Sequence, residues 1–87
     1  MRHARAPTLD QLEPLLEQLR ALPGPKEKGR GVFYWKSKGF LHFHEDPAGL
    51  FADLRDATGK DFDRYKVDEP AGARSLIEAA RARLEIA

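Results

Sequence analysis

The chain has 87 residues, enough for one compact domain and too few for separate catalytic and regulatory units. Fifteen lysine and arginine residues against fourteen aspartate and glutamate residues give a net charge of +1, which provides no global field for nucleic acid or an anionic membrane. The absence of cysteine excludes disulfide scaffolds, thiolate zinc sites and cysteine nucleophiles. Without a segment typical of a signal peptide or membrane span, we expect a cytoplasmic protein with no membrane partner. Asparagine is absent, which suits a thermophilic protein and equally a GC-rich genome.

An amphipathic helix is predicted near the amino terminus. Residues 1–7 lack an apolar period, and we expect them to be disordered. Thr8 followed by Gln11 is a capping-box pattern, after which leucines recur at steps of three and four as far as Leu22. Pro14 either kinks this helix or begins its regular part. The proline- and glycine-rich residues after Leu22 end it.

Two aromatic strands are predicted to form a hairpin. The runs at 33–35 and 40–43 have a strand period and flank a three-residue turn that ends at Gly39. A loop with Gly39 in the left-handed conformation pairs Trp35 with Leu41. We therefore expect Trp35 to be largely buried.

A second turn is predicted at residues 46–49, where proline occupies the second position. This turn pairs His42 with Asp53 and Leu41 with Leu54. The two hairpins then agree on one apolar face, and a slip of one residue in either would place charges on it. This predicted core face consists of Phe33, Trp35, Leu41, Phe43, Leu50, Ala52 and Leu54.

A fourth strand and a final helix complete the predicted fold. Residues 62–67 alternate between inward and outward side chains, and Asp68 can cap a helix with one apolar face. We predict a single α+β domain over residues 1–87, a two-layer sandwich in the order α-β-β-β-β-α. Its four strands form an antiparallel meander, and both helices cover the core face.

The opposite face of this sheet is predicted to be open, with aromatic side chains among basic ones. Such a surface can form a homodimer interface, it can bind a nucleotide or nucleic acid by stacking bases and holding phosphates, or it can simply meet solvent. Exposed rings at Phe40 and Phe51 favour self-association, because a small domain gains by covering them. We therefore predict a non-enzymatic interaction module that acts as a homodimer, with nucleic-acid binding as a less favoured alternative. The predicted binding surface consists of Tyr34, Lys36, Phe40, Phe51, Arg55, Arg64 and Lys66.

The same face carries a candidate metal site. His42 and His44 are two residues apart, so their side chains point to the same side of a strand from positions about 6.6–7 Å apart. With Asp53 they form a two-histidine, one-carboxylate set suited to zinc, nickel or iron. The alternatives are a metal-binding protein with a divalent ion at these three residues, and a His42–Asp53 hydrogen-bonded pair without an ion or any other cofactor. A catalytic triad is not supported, because Ser37 lies at the far end of its hairpin and Ser75 belongs to a helix on the opposite face.

The chain has two resemblances to known proteins, one in sequence and one in architecture. The segments GVFY at 31–34 and SKGFLHFHEDPAGLFADL at 37–54 resemble an uncharacterised family of small bacterial proteins. That resemblance extends over residues 9–85 and implies a one-domain bacterial protein without an assigned activity. The order of helix, antiparallel meander and helix is also similar to that of YjbR-like proteins, whose fold is associated with nucleic-acid binding. This second resemblance is one of architecture alone.

Overall fold

The computed structural model describes residues 2–86, and side chains from His3 to Glu85. Within these residues, helices pack against one antiparallel sheet, so the predicted α+β class is confirmed. The described helices include none that is long and apolar enough to cross a membrane. The elements in chain order are β1 (Arg2–His3), α1 (Ala6–Gln11), α2 (Glu13–Arg20), β2 (Lys26–Gly29), β3 (Val32–Trp35), β4 (Lys38–Asp46), β5 (Gly49–Arg55), β6 (Phe62–Lys66) and α3 (Pro70–Ile86).

The core lies between the helices and one face of the sheet. Leucines of α1 and α2 pack in it together with Leu76, Ile77 and Ala80 of α3. Most of the predicted core face is confirmed, whereas Trp35 and Leu50 are only half-buried at its margin. The strand residues that are 2% exposed or less are Phe33, Leu41, Phe43, Ala52 and Leu54.

The amino-terminal helix is divided at Leu12, where α1 ends and α2 begins. Pro14 is the second residue of α2, where a backbone N–H would have no partner within the helix. A new helix therefore begins next to this proline, at Glu13. The predicted capping box is wrong, because α1 begins before Thr8 and its N-cap residue, Arg5, provides no side-chain cap. The Glu45 carboxylate of β4 instead accepts hydrogen bonds from the Arg5 backbone N–H and the Thr8 hydroxyl.

The pairing of β4 with β5 has the predicted register. His42 is opposite Asp53, and Leu41 is opposite Leu54. The turn between these strands therefore fixes which side chains of β4 and β5 share the uncovered face. This register positions the candidate metal site.

The predicted register of the first hairpin is wrong. Its loop has two residues, Lys36 and Ser37, with φ angles of 54° and 66°. Positive φ at both central positions is the geometry of a type I′ turn, whose twist matches that of the flanking strands. As a result Trp35 pairs with Lys38 rather than with Leu41.

A bulge in β4 follows this turn and changes the position of Phe40. Tyr34 pairs with Gly39 and Phe33 with Leu41, which leaves Phe40 as the extra residue. Phe40 is 4% exposed and packs edge-on against Trp35, with ring centroids 5.6 Å apart. The expectation of an exposed Phe40 on the open face is therefore wrong.

Two strands were not predicted. The sheet has the order β2-β3-β4-β5-β6, and β1 pairs with the far end of β4. The amino-terminal segment is therefore tied to the sheet by backbone pairing, which includes a hydrogen bond from the Ala4 N–H to the Phe43 carbonyl. This pairing differs from the expectation of disorder over residues 1–7. For Met1 that expectation lies outside the described residues.

Candidate metal site

The three predicted metal ligands lie side by side on the uncovered face of the sheet. His42 and His44 alternate with buried Phe43 along β4, and Asp53 is the cross-strand partner of His42. Because neighbouring strand residues project to opposite faces, these three side chains point away from the core. One ligand atom from each residue lies within 4.8 Å of the others.

The spacing of these atoms is close to that around a bound ion. Nε2 of His44 is 3.1 Å from Asp53 Oδ2, and Nε2 of His42 is 3.7 Å from the same oxygen. Metal–ligand bonds of about 2.0–2.1 Å in tetrahedral or octahedral geometry place neighbouring ligand atoms about 2.8–3.4 Å apart. The two imidazole rings are 4.7 Å apart at an interplanar angle of 81°. Little side-chain movement is therefore needed for the three atoms to share one ion.

Asp53 is a buried carboxylate, 8% exposed, that is oriented by Arg64 of β6. Arg64 Nε donates to Oδ1 at 2.8 Å, and its Nη2 donates to Oδ2 at 3.0 Å. These hydrogen bonds lower the pKa of Asp53, and the charges of Arg64, His44 and His42 lower it further. A carboxylate oxygen has two lone pairs, so Oδ2 can accept a hydrogen bond and also bind an ion.

His42 has an environment that favours its neutral form. Burial lowers the pKa of His42, and the charge of His44 adds to this effect, whereas Asp53 opposes it. The ring of Phe62, which sequence reasoning did not place here, lies 5.2 Å from the His42 ring and is near perpendicular to it. Neutral imidazole is the form that binds metals, so the site does not need to lose a proton from His42 near neutral pH.

A third histidine joins this cluster. His3 in β1 pairs with His44, and its ring centroid is 5.1 Å from that of His44 and 6.0 Å from that of His42. Sequence reasoning missed it because a strand of two residues has no alternation pattern. The one available signal was composition, since these three residues are all the histidines of the chain.

The aromatic residues of the predicted binding surface do not form one patch. Tyr34 is 39% exposed, and it is the only large hydrophobic side chain that is exposed among the described residues. Phe51 is half-buried, with the Arg64 guanidinium carbon 6.0 Å from its ring centroid. With Phe40 buried, the apolar area of the open face is smaller than predicted.

The basic residues of that surface are engaged in different places. Lys36 lies in the hairpin loop, beyond the end of β3. Arg55 donates hydrogen bonds to the backbone carbonyls of Gly39 and Gly59, and Lys66 forms an ion pair with Asp68. The Arg64–Asp53 and Lys66–Asp68 ion pairs leave less free positive charge beside the histidines than the sequence indicated.

No family model, curated protein or solved structure matches this chain. The resemblances to a small bacterial family and to YjbR-like proteins stay predictions. The fold and the cluster define a small α+β domain with three histidines and a buried carboxylate on an open sheet face.

Proposed function

We propose that this chain is a metal-binding protein that holds one divalent transition metal at His42, His44 and Asp53. The observation that supports it best is the approach of two imidazole nitrogens to one carboxylate oxygen, at 3.1 and 3.7 Å. Nitrogen donors favour zinc, nickel or iron over calcium and magnesium, which prefer oxygen ligands. The proposal concerns binding and assigns no reaction.

The electrostatics of the cluster support the same proposal. Asp53 is held ionised by Arg64, while burial favours neutral His42, so both groups are in their metal-binding forms near neutral pH. His3 is close enough to supply a fourth nitrogen after a side-chain rotation. Three or four such donors make a site of the kind that zinc occupies in proteins.

Two other interpretations have less support. Self-association through the open face was predicted from exposed rings at Phe40 and Phe51, and Phe40 is buried. A nucleic-acid surface beside the histidines would need free cations on that face, and Arg64 and Lys66 are paired with carboxylates. The location in the cytoplasm remains a prediction of the sequence.

Calorimetric titration of the chelator-treated full chain with zinc tests the proposal. We expect one zinc per chain for the wild type and no saturable binding for the His42→Ala/His44→Ala double variant. Asp53→Asn keeps the shape of the side chain but removes its charge, and should weaken binding at least about tenfold. Asp63→Asn is the matched control, because this carboxylate pairs with Arg83 instead of approaching the histidines.

Either of two results would overturn the proposal. Stoichiometric zinc binding by the double histidine variant would show that the ion lies elsewhere. A wild-type chain that binds neither zinc, nickel nor iron(II) would establish the cluster as a set of ion-free polar contacts.

A further inference from the structure

We propose that a second site on this chain binds a small aromatic carboxylate. The site is a cavity of about 360 Å³ that shares no residue with the histidine cluster. It lies between the β3–β4 hairpin, the loop after β5 and the last turns of α3. Its walls include Trp35, Phe40, Arg55, Gly59 and Arg83.

One wall of the cavity is aromatic. Trp35 is half-buried, and Phe40 packs edge-on against it because of the bulge in β4. The Nζ atom of Lys36 lies 4.8 Å from the centroid of the Trp35 ring, so this indole has a side that a charged group can approach. A flat ring that enters the cavity would meet aromatic surface with a cation beside it.

The cavity also has positive charge that no described carboxylate pairs with. Arg55 donates from Nε to the Gly39 carbonyl at 2.6 Å and from Nη1 to the Gly59 carbonyl at 2.8 Å. Carbonyl oxygens satisfy these donors but carry no net charge. Lys36 and Lys38 likewise line the cavity and form no ion pair within the described part of the chain.

Three cations without a carboxylate partner among the described residues therefore line one cavity. Arg83, which also lines the cavity, has a carboxylate partner in Asp63. Five cations outside the cavity are likewise paired with carboxylates, namely Arg5, Arg20, Arg30, Arg64 and Lys66. An excess of unpaired cations around one concave site favours an anionic ligand there.

A buried donor of the cavity also agrees with an anion. The Nε–H of Arg83 is buried and has no acceptor among the described residues, although its Nη2 donates to Asp63 at 2.7 Å. Buried donors are normally paired, and an anionic oxygen is such an acceptor. The acidic residue of the lining, Asp56, already accepts hydrogen bonds from the backbone N–H groups of Thr58 and Gly59. These uncharged donors hold the carboxylate in the turn and leave its charge in place, so the lining has one carboxylate against three cations that are unpaired in the described part of the chain.

The size of the cavity, its aromatic wall and its unpaired cations together indicate the class of ligand. Its volume is at the lower end of the roughly 300–1,000 Å³ of small-molecule sites, which suits one or two fused rings. A single carboxylate matches the cations and leaves the ring to cover Trp35. Inorganic phosphate would satisfy the cations alone and leave the aromatic wall uncovered.

Nuclear magnetic resonance on the full chain provides a direct test, because Trp35 is the single tryptophan and gives one indole N–H signal. We would titrate 2-naphthoate into the protein with a chelator present, so that no metal can capture the carboxylate. Saturable movement of the Trp35 signal is expected. Neutral 2-naphthamide and inorganic phosphate should each bind at least about tenfold more weakly, because each lacks one of the two recognised groups.

Variants then locate the binding site. Lys36→Gln/Lys38→Gln should weaken 2-naphthoate about tenfold, and Ala57→Phe, at an exposed position of the lining, should block it. Lys60→Gln is the matched control, since Lys60 is in the loop after β5 that also contains Ala57 but does not line the cavity.

The proposal is overturned if the Trp35 signal does not move, or if the naphthamide binds as tightly as the naphthoate. It is also overturned if phosphate binds as tightly as the naphthoate, or if Lys60→Gln weakens binding as much as the double lysine variant. Because the protein is metal-free in this experiment, failure here leaves the zinc titration unaffected.

Discussion

At the scale of single residues, Asp53 is the carboxylate ligand of the candidate metal site and is held in place by the sheet. Its carboxylate is buried beneath polar neighbours and would be unstable there without hydrogen bonds. Arg64 provides two of them, and this leaves Oδ2 facing the histidine nitrogens. Arg64 is therefore a positioning residue for the proposed site.

The Arg64 hydrogen bonds predict a measurable effect in the metal-free protein. Arg64→Met keeps the aliphatic stem and removes every donor, so the buried carboxylate loses its partners. Because the Arg64 side chain is 52% exposed, solvent screening reduces the expected loss of unfolding free energy to about 1 kcal/mol. Urea unfolding with chelator present measures it. Arg64→Lys, which retains one cationic donor, should lose less, and equal stability of Arg64→Met and wild type would contradict this role.

The predicted and unpredicted residues of the site differ for a physical reason. The His42–Asp53 pairing could be predicted because the turn at residues 46–49 fixes the register and a slip would expose the core. Phe40 could not be placed, because a bulge adds a residue without any change in the apolar pattern. His3 could not be placed either, since backbone pairing rather than hydrophobic period holds β1.

At the scale of elements, the close approach of α3 to β6 depends on Gly72. A Cβ atom built at this glycine would lie 1.8 Å from the Lys66 carbonyl oxygen. No larger residue fits unless the helix moves away from the sheet. The apolar contacts of Leu76 and Ile77 with the core depend on the same approach.

Gly72→Ala is accordingly expected to destabilise the protein by about 3 kcal/mol or more, as severe overpacking against backbone does. Gly29→Ala is the matched control, because a Cβ atom at Gly29 meets nothing within 4 Å and should change the unfolding free energy little. Chemical denaturation of both variants measures the difference. Similar midpoints for the two would show that α3 does not pack against β6 as described.

Glu27 joins β2 to α2, and the contact should be sensitive to acid. Hydrogen bonds from Arg20 are the largest cause of the lowered pKa of Glu27, and the Gly31 backbone N–H lowers it further. A carboxylate whose pKa is lower in the folded state stabilises the fold above its unfolded pKa of about 4.3. This stabilisation is lost as the pH falls through the folded pKa.

Glu27→Gln should therefore reduce the acid sensitivity of the fold. We expect the fall in unfolding free energy between neutral pH and pH values below about 4 to be smaller in this variant than in the wild type. Urea midpoints at a series of pH values measure both slopes. An unchanged slope in Glu27→Gln would contradict a contribution from this ion pair.

At the scale of the whole molecule, the sandwich organisation could be predicted because each layer has its own sequence signal. The leucine period predicts helices, and the two hairpins predict one apolar sheet face. The strands β1 and β2 had no such signal: β2 is a charged, glycine-containing edge strand, and β1 has only two residues. The helices cover the core face, so the histidine cluster remains on the uncovered side.

The central claim is that His42, His44 and Asp53 hold one transition metal ion. The visible absorption spectrum of the chelator-treated chain during titration with cobalt(II) tests it directly, since cobalt(II) in a zinc-type site of four ligands has intense absorption that the aqueous ion lacks. We predict that this absorption develops to saturation at one cobalt per chain and is absent from the His42→Ala/His44→Ala variant. A spectrum that stays that of aqueous cobalt(II), or one that is identical in the double variant, would contradict the account.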